Sequence, residues 1–129
     1  MRLAFVDTSC LVAVAFDEPG TRDMIRQLSE CDRLFASNLL EAEFRSALHR
    51  EGIEEGADSL LAGLSWLHPD RSLRPEIVRV LRHGYVRGAD LWHLACALYL
   101  KSRVKELLFL TLDQRQQDAA GKLGFRMFE

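Results

Sequence analysis

The chain predicts an α/β fold, a three-layer α/β/α sandwich around a mostly parallel central sheet, on three observations. Two short, continuous apolar runs, Leu3 to Val6 and Leu107 to Leu112, read as strands buried on both faces. Between them lie stretches whose apolar residues recur at helical spacing, and alternation of the two patterns implies helices packed on a parallel sheet. Both runs also end in an acid, Asp7 and Asp113. Right-handed crossovers put the carboxyl ends of parallel strands on one side, the edge where open α/β sheets bind ligands.

The elements follow in order. After the first strand, Asp7-Thr8-Ser9 is a tight turn, and the apolar stretch Leu11 to Phe16 predicts a helix. Asp7 either sits at the ligand-binding edge or caps that helix. Asp17-Glu18-Pro19-Gly20 is a turn. Thr21 can cap a second helix reaching about Cys31, with Met24, Ile25 and Leu28 inward. Arg33 to Ser37 is a short strand, and Ser37 or Asn38 caps a third helix that Gly52 stops. Leu40, Phe44, Ala47 and Leu48 form its apolar face, and Glu43 falls within that stripe. A carboxylate aimed at the core is costly unless a cation meets it; otherwise it reaches water at the margin or pairs with an arginine. Glu41, outside the stripe, sits four residues before Arg45 as an exposed pair.

Residues 53 to 67 predict a fourth helix with Ala57, Leu60, Leu61 and Leu64 inside. Pro69-Asp70 is a turn, Leu73 a brief extended piece, and Pro75 and Glu76 open a fifth helix. Around it lie Arg71, Arg74, Arg79, Arg82, His83 and Arg87. Such a run is either a solvated helix face or a phosphate-contacting rim. A sixth helix runs from Gly88 to about Lys101. Asp90, in its first turn, reads alone as a cap that meets the helix dipole. Trp92 and His93 read as packing residues, although His93 lies one turn after Asp90 and could hydrogen-bond near it. A short helix from Gln114 to Lys122 follows Asp113, and Phe125 to Phe128 reads as a final edge strand.

A chain of 129 residues is long enough to bury a core, and one domain over residues 1–129 is expected. Its 48% apolar and 28% charged residues are ordinary for a soluble protein. No apolar stretch approaches the ~20 residues of a membrane span, and no signal-peptide pattern is present. Cys10, Cys31 and Cys96, odd in number and without metal-ligand spacing, read as buried reduced thiols in a cytoplasmic protein. The net charge of −2 does not advertise nucleic-acid binding, but gathering four acids in one pocket leaves about +2 on the rest. Fourteen of the basic residues are arginine and three lysine, and arginine is the better fork for phosphate oxygens.

Asp7 and Asp113 share the strand edge in this topology, while Asp90 and Glu43 can reach it from helices. Acids crowded without a counter-ion cost stability, and a divalent ion removes that penalty. Oxygen ligands without His or Cys partners suit Mg²⁺ or Mn²⁺. Such a site can polarise a phosphodiester and activate water, with one ion or a pair roughly 4 Å apart.

Four pieces carry a resemblance: Phe5-Val6-Asp7-Thr8-Ser9; Ser37 and, after five residues, Glu43-Phe44; Asp90-Leu91-Trp92-His93-Leu94-Ala95; and Leu110-Thr111-Leu112-Asp113 followed by Gly124-Phe125. In this order and spacing the chain resembles the PIN-domain ribonucleases, most closely the VapC-type toxins of type II toxin–antitoxin systems, over nearly its whole length. The resemblance implies a PIN-like sandwich and a Mg²⁺- or Mn²⁺-dependent endoribonuclease. Asp7 and Asp90 would be the principal metal ligands, and Glu43 and Asp113 would complete the cluster directly or through water. Ser9 and Thr111 would orient the carboxylates. Activated water would attack phosphorus in line and leave a 5′-phosphate. The resemblance also implies a homodimer, an antitoxin whose tail occupies the acidic groove, and an RNA substrate, for which transfer RNA is a common family target. Many relatives carry an acid two residues after the fourth and an aromatic three after; here these are Arg115 and Gln116. Asp118 either substitutes in part or lies exposed on the last helix.

Two rivals stand beside this reading. A phosphatase or phospho-acceptor using Asp7 would need a lysine after a late strand, but Lys101 and Lys105 precede the strand and Lys122 is on the last helix. A catalytically silent RNA-binding or protein-interaction module of the same fold would gain nothing from a complete set of acids.

Overall fold

The computed structural model describes residues 1–128. Strand β1 spans Leu3–Val6 and is followed by helices α1, Thr8–Ala15, and α2, Thr21–Ser29. Then come β2, Arg33–Ser37, and α3, Asn38–Arg50. A 3₁₀ turn at Glu54–Gly56 leads into α4, Ala57–Leu61, and β3, Leu64–Leu67. Helices α5, Arg74–Leu81, and α6, Gly88–Lys101, precede β4, Leu108–Leu110, and α7, Gln114–Lys122.

The strands form one sheet in the order β3-β2-β1-β4, and every pairing is parallel. β1 is flanked by β2 on one side and β4 on the other, in register Phe5 with Phe35 and Phe5 with Phe109. The chain therefore reverses direction across the sheet at β1 and β4, and the crevice between their carboxyl ends is where such sheets accept ligands. Strand alternation divides the core. Phe5 and Phe109 face a cluster with Leu94, Leu107 and Phe125, whereas Ala4, Val6, Leu108 and Leu110 face one with Leu40 and Phe44. Helices cover both faces, which gives the predicted α/β/α sandwich and accounts for the unbroken apolar character of the two central strands.

Five local expectations are corrected. Residues 53 to 67 are not one helix. α4 ends at Leu61, and Leu64 to Leu67 pair in parallel with Leu34 to Ser37 as an edge strand. The leucines that suit a helical stripe equally suit a strand, and pairing with β2 decides the outcome. Phe125 to Phe128 does not form a strand; a single parallel bridge joins Arg126 to Leu108, and Phe125 folds inward 5.5 Å from Phe109. Leu73 is no extended piece but the buried residue preceding α5. Gly20, at φ +89, occupies the N-cap position of α2, while the Thr21 hydroxyl donates back to the carbonyl of Ala13 at 2.8 Å. On α2, Met24 is buried but Ile25 is exposed. Among the described residues no helix is long and apolar enough to cross a membrane.

Candidate functional site

Asp7 lies where β1 passes into α1, and its backbone N–H still donates to the carbonyl of Leu110 at 3.2 Å. The residue holds the N-cap position, yet its side chain makes no capping bond. It turns into the crevice instead, 2% exposed. There Oδ1 accepts from the Ser9 hydroxyl at 2.6 Å and the Cys10 thiol at 3.6 Å. Oδ2 accepts from the Thr111 hydroxyl at 2.8 Å and Gln116 Nε2 at 2.6 Å. Burial pushes the Asp7 carboxyl above its ordinary value, and these donors only partly offset it. Ser9 and Thr111 also accept the backbone N–H groups of Leu112 and Asp113, both at 3.0 Å, so the turn after β4 is pinned to the turn after β1.

Glu43 arrives from the middle of α3. Its Oε1 accepts from the Thr8 hydroxyl at 2.6 Å and bonds to His93 Nε2 at 2.7 Å. His93, on α6 and 1% exposed, bonds through Nδ1 to the Ser37 hydroxyl at 2.8 Å. Ser37 in turn caps α3 by accepting from the N–H of Leu39 at 3.2 Å. One chain of hydrogen bonds, buried at His93 and Ser37 and half-buried at Glu43 and Thr8, thus crosses the sheet edge from the α3 layer to the α6 layer. The His93 bond, aided by Thr8, holds the Glu43 carboxyl below its ordinary range. Glu43 is therefore neither paired with an arginine nor simply reaching for water.

Asp90 sits in the first turn of α6 and Asp113 at the N-cap of α7, where its Oδ1 accepts from the N–H of Gln116 at 3.2 Å. Burial, followed by the charge of Asp113, raises the Asp90 carboxyl. Arg87 reaches to within 3.7 Å of Asp90 Oδ2 while remaining largely exposed. Asp7, Asp90 and Asp113 each stand at the start of a helix, whose positive end favours a carboxylate. Along with Glu43, Arg87 and Gln116 they line one cleft of ≈ 200 Å³.

All four acids expected at the site are thus brought to one place, and Ser9 and Thr111 touch the first of them. Asp118 is exposed and bonds to Gln114 at 2.9 Å. Arg71, exposed in the segment before α5, pairs with Glu76 of that helix at 2.6 Å. Three participants were not legible as site residues: Thr8 and His93, which hold Glu43, and Gln116, whose Nε2 bridges Asp7 and, at 3.2 Å, Asp90 Oδ1. For His93 the only signal was its position one turn after Asp90. For Gln116, a polar side chain three residues after Asp113, spacing alone offered none.

An all-oxygen set of acids fits a hard divalent ion in its chemistry. In the arrangement described, no three His, Cys, Asp or Glu side chains among the described residues are gathered as an ion-holding group. The reason is geometric: the Gln116 amide stands between Asp7 and Asp90, and Glu43 is turned toward Thr8 and His93. The Gln116 side-chain oxygen, buried without a hydrogen-bond partner, is the one polar atom there left unsatisfied among the described residues.

No curated protein matches the chain. The PIN domain family matches residues 4–122, from the first strand through the last helix and across every acid described above, and the chain belongs to that family.

Proposed function

We propose that this protein is a Mg²⁺- or Mn²⁺-dependent endoribonuclease, a single catalytic domain over residues 1–129 that hydrolyses RNA phosphodiester bonds. PIN domains are generally nucleases that use divalent metals. The observation that carries the reading is convergence: Asp7, Glu43, Asp90 and Asp113 come from four separate segments and line one cleft. In this proposal Asp7 and Asp90 would hold the ion, and Glu43 and Asp113 would complete its surroundings. When bound, the ion supplies charge stabilisation at the scissile phosphate and lowers the pKa of a water. Ser9 and Thr111 hold the Asp7 carboxylate in orientation through its two oxygens. His93 and Thr8 keep Glu43 ionised and fixed, so that it offers a charged acceptor to the proton of an attacking water. Arg87, at the rim, is placed to meet a phosphate oxygen.

The physiological part of the proposal is that the enzyme acts in the cytoplasm as the toxin of a toxin–antitoxin pair. It would work as a homodimer, restrained by a cognate antitoxin and cutting RNA, with transfer RNA the first substrate to test. The resemblance of the four acidic motifs to those of VapC-type toxins motivates this part, while the PIN family supports the nuclease chemistry beneath it. The test is cleavage of labelled RNA with Mg²⁺ or Mn²⁺ and with chelator, for the wild type, Asp7→Asn and Glu43→Gln. Cleavage is expected only for the wild type with metal. Full cleavage in chelator, or by Asp7→Asn, would sink the catalytic reading. Growth arrest on expression, relieved by a co-expressed antitoxin, tests the toxin role separately.

A further inference from the structure

Gln116 is a nearly inaccessible amide, 1% exposed, with an unequal distribution of bonds. Its nitrogen serves two carboxylates, Asp7 Oδ2 at 2.6 Å and Asp90 Oδ1 at 3.2 Å, while its oxygen has no partner. A buried acceptor left unmade is costly, and a native side chain that carries one calls for an explanation. The end that faces the two carboxylates in this arrangement has to be the donor, because an oxygen there would face two others at repulsive distance. That requirement vanishes if a cation lies among them. Rotation about the last side-chain bond exchanges the two ends of a Gln amide with almost no change of shape. After such a turn Oε1 occupies the position Nε2 holds, beside Asp7 Oδ2 and Asp90 Oδ1. Adjacent oxygens around an octahedral ion with ligands at about 2.1 Å stand about 3 Å apart, a spacing that the 2.6 and 3.2 Å found here bracket.

We infer that Gln116 is a two-position member of the cation site. Without the ion its amide nitrogen holds Asp7 and Asp90 together in place of the missing positive charge. With the ion its amide oxygen turns inward as a neutral ligand. This rests on the metal-dependent reading above and adds to it a ligand that is not an acid. The turn gives Oε1 the ion as its partner and carries the amide N–H groups to the position Oε1 leaves, so what ion binding relieves is the carboxylate pair. The Asp7–Asp90 bridge and the cation thus exclude each other, which makes the amide a gate as well as a ligand.

The test is Mn²⁺ binding by titration calorimetry, with no RNA present, for the wild type, Gln116→Met, Gln116→Glu and Asp7→Asn. Methionine keeps the length and removes both polar ends; glutamate keeps the oxygen and loses the donor. Gln116→Met should weaken Mn²⁺ binding roughly tenfold or more, the range for lost support around a metal. Gln116→Glu should bind at least as tightly as the wild type. It should also melt lower than the wild type in chelator, because a third buried carboxylate replaces the bridging donor, and recover on adding Mn²⁺. If Gln116→Met fails to fold, Gln116→Glu alone decides, since weakened binding there would refute a ligand oxygen at this position. Equal or tighter binding by Gln116→Met would leave the amide a structural bridge or a competitor of the ion, and would overturn the inference. If the wild type itself binds no Mn²⁺, the metal-dependent reading fails instead, so the two failures are told apart.

Discussion

Replacing Asp7 by asparagine should leave the cation-free fold intact, whereas replacing it by alanine should damage it. The wild-type carboxylate is buried and pushed toward its neutral form, so its charge is a cost that the donors around it only partly offset. Asparagine removes that charge and keeps the shape. Its oxygen must take the Oδ2 position, because Gln116 Nε2 can only donate. Its nitrogen then faces Ser9, whose hydroxyl accepts as readily as it donates. Relief of the buried charge opposes the loss of charge-assisted bonds, and the net change should lie within about 1 kcal/mol of zero. For a domain of this size that is roughly 3–5 °C in melting temperature, in the upward direction if relief of charge prevails. Alanine instead strands the Ser9, Thr111 and Gln116 donors in a buried place, at about 1–3 kcal/mol each, and should lower the melting temperature by roughly 10 °C or more. The assay is thermal unfolding followed by circular dichroism at pH 7 in chelator, repeated with Mn²⁺. The wild type should gain stability with the ion by mass action and Asp7→Asn should not. If Asp7→Asn is as unstable in chelator as Asp7→Ala, the carboxylate charge is itself a stabilising element and the reasoning from burial is wrong.

Three further outcomes are expected. His93→Ala should cost about 2–4 kcal/mol in urea unfolding, since it removes a buried ring and leaves Ser37 and Glu43 without the bond that joins the two helical layers; a loss under 1 kcal/mol would mean the chain of bonds adds little. Stability in chelator should rise as pH falls from 7 toward the ordinary carboxylate range. The Asp7 and Asp90 carboxyls lie above their ordinary 3.8 in the folded protein, so the folded state binds more protons than the unfolded chain in that window. Glu43 lies below its ordinary 4.5, so it opposes the trend once pH falls to about that value, where the unfolded chain takes up the proton first. The slope should be shallower in Asp7→Asn, and an equal slope would assign the trend to other groups. Finally, Cys10 and Cys96 are fully buried, with thiols pushed well above their ordinary value and to about 12, respectively. A thiol reagent at pH 8 should label only half-buried Cys31, slowly, in the native protein and all three thiols after denaturation; rapid labelling of Cys96 would refute its burial.

The sheet was legible where a strand is covered on both faces. β1 and β4 are continuous apolar runs because each face meets a helical layer, and no helical period can be laid on so short a run with an acid at its end. β3 was hidden for the opposite reason. It is an edge strand whose residues are all half-buried, and Leu60, Leu61 and Leu64 complete a plausible helical stripe with the short α4 before it. What makes Leu64 to Leu67 a strand is the free edge of β2, a partner thirty residues earlier that no local pattern reports. The final segment failed in the other direction. Phe125 and Phe128 have strand-like character, but Phe125 is needed to close the core over Phe109, so only one bridge forms.

The site divides along a similar line. An acid at the end of a buried strand is conspicuous because its neighbours are apolar, and one within an apolar helical stripe, like Glu43, is conspicuous because burial without a partner is costly. Those conflicts between residue type and position point to a ligand. The groups that resolve the conflicts leave no such mark. His93 is an ordinary residue for a helix interior, and Gln116 an ordinary residue for a short polar helix, until the fold places one against Glu43 and the other between Asp7 and Asp90. Each is recognised by which carboxylate it serves, a relation across 50 and 109 residues of chain. The acids can therefore be found from the chain as charges in the wrong place, while the neutral groups that hold them become visible only once the sheet edge has been assembled.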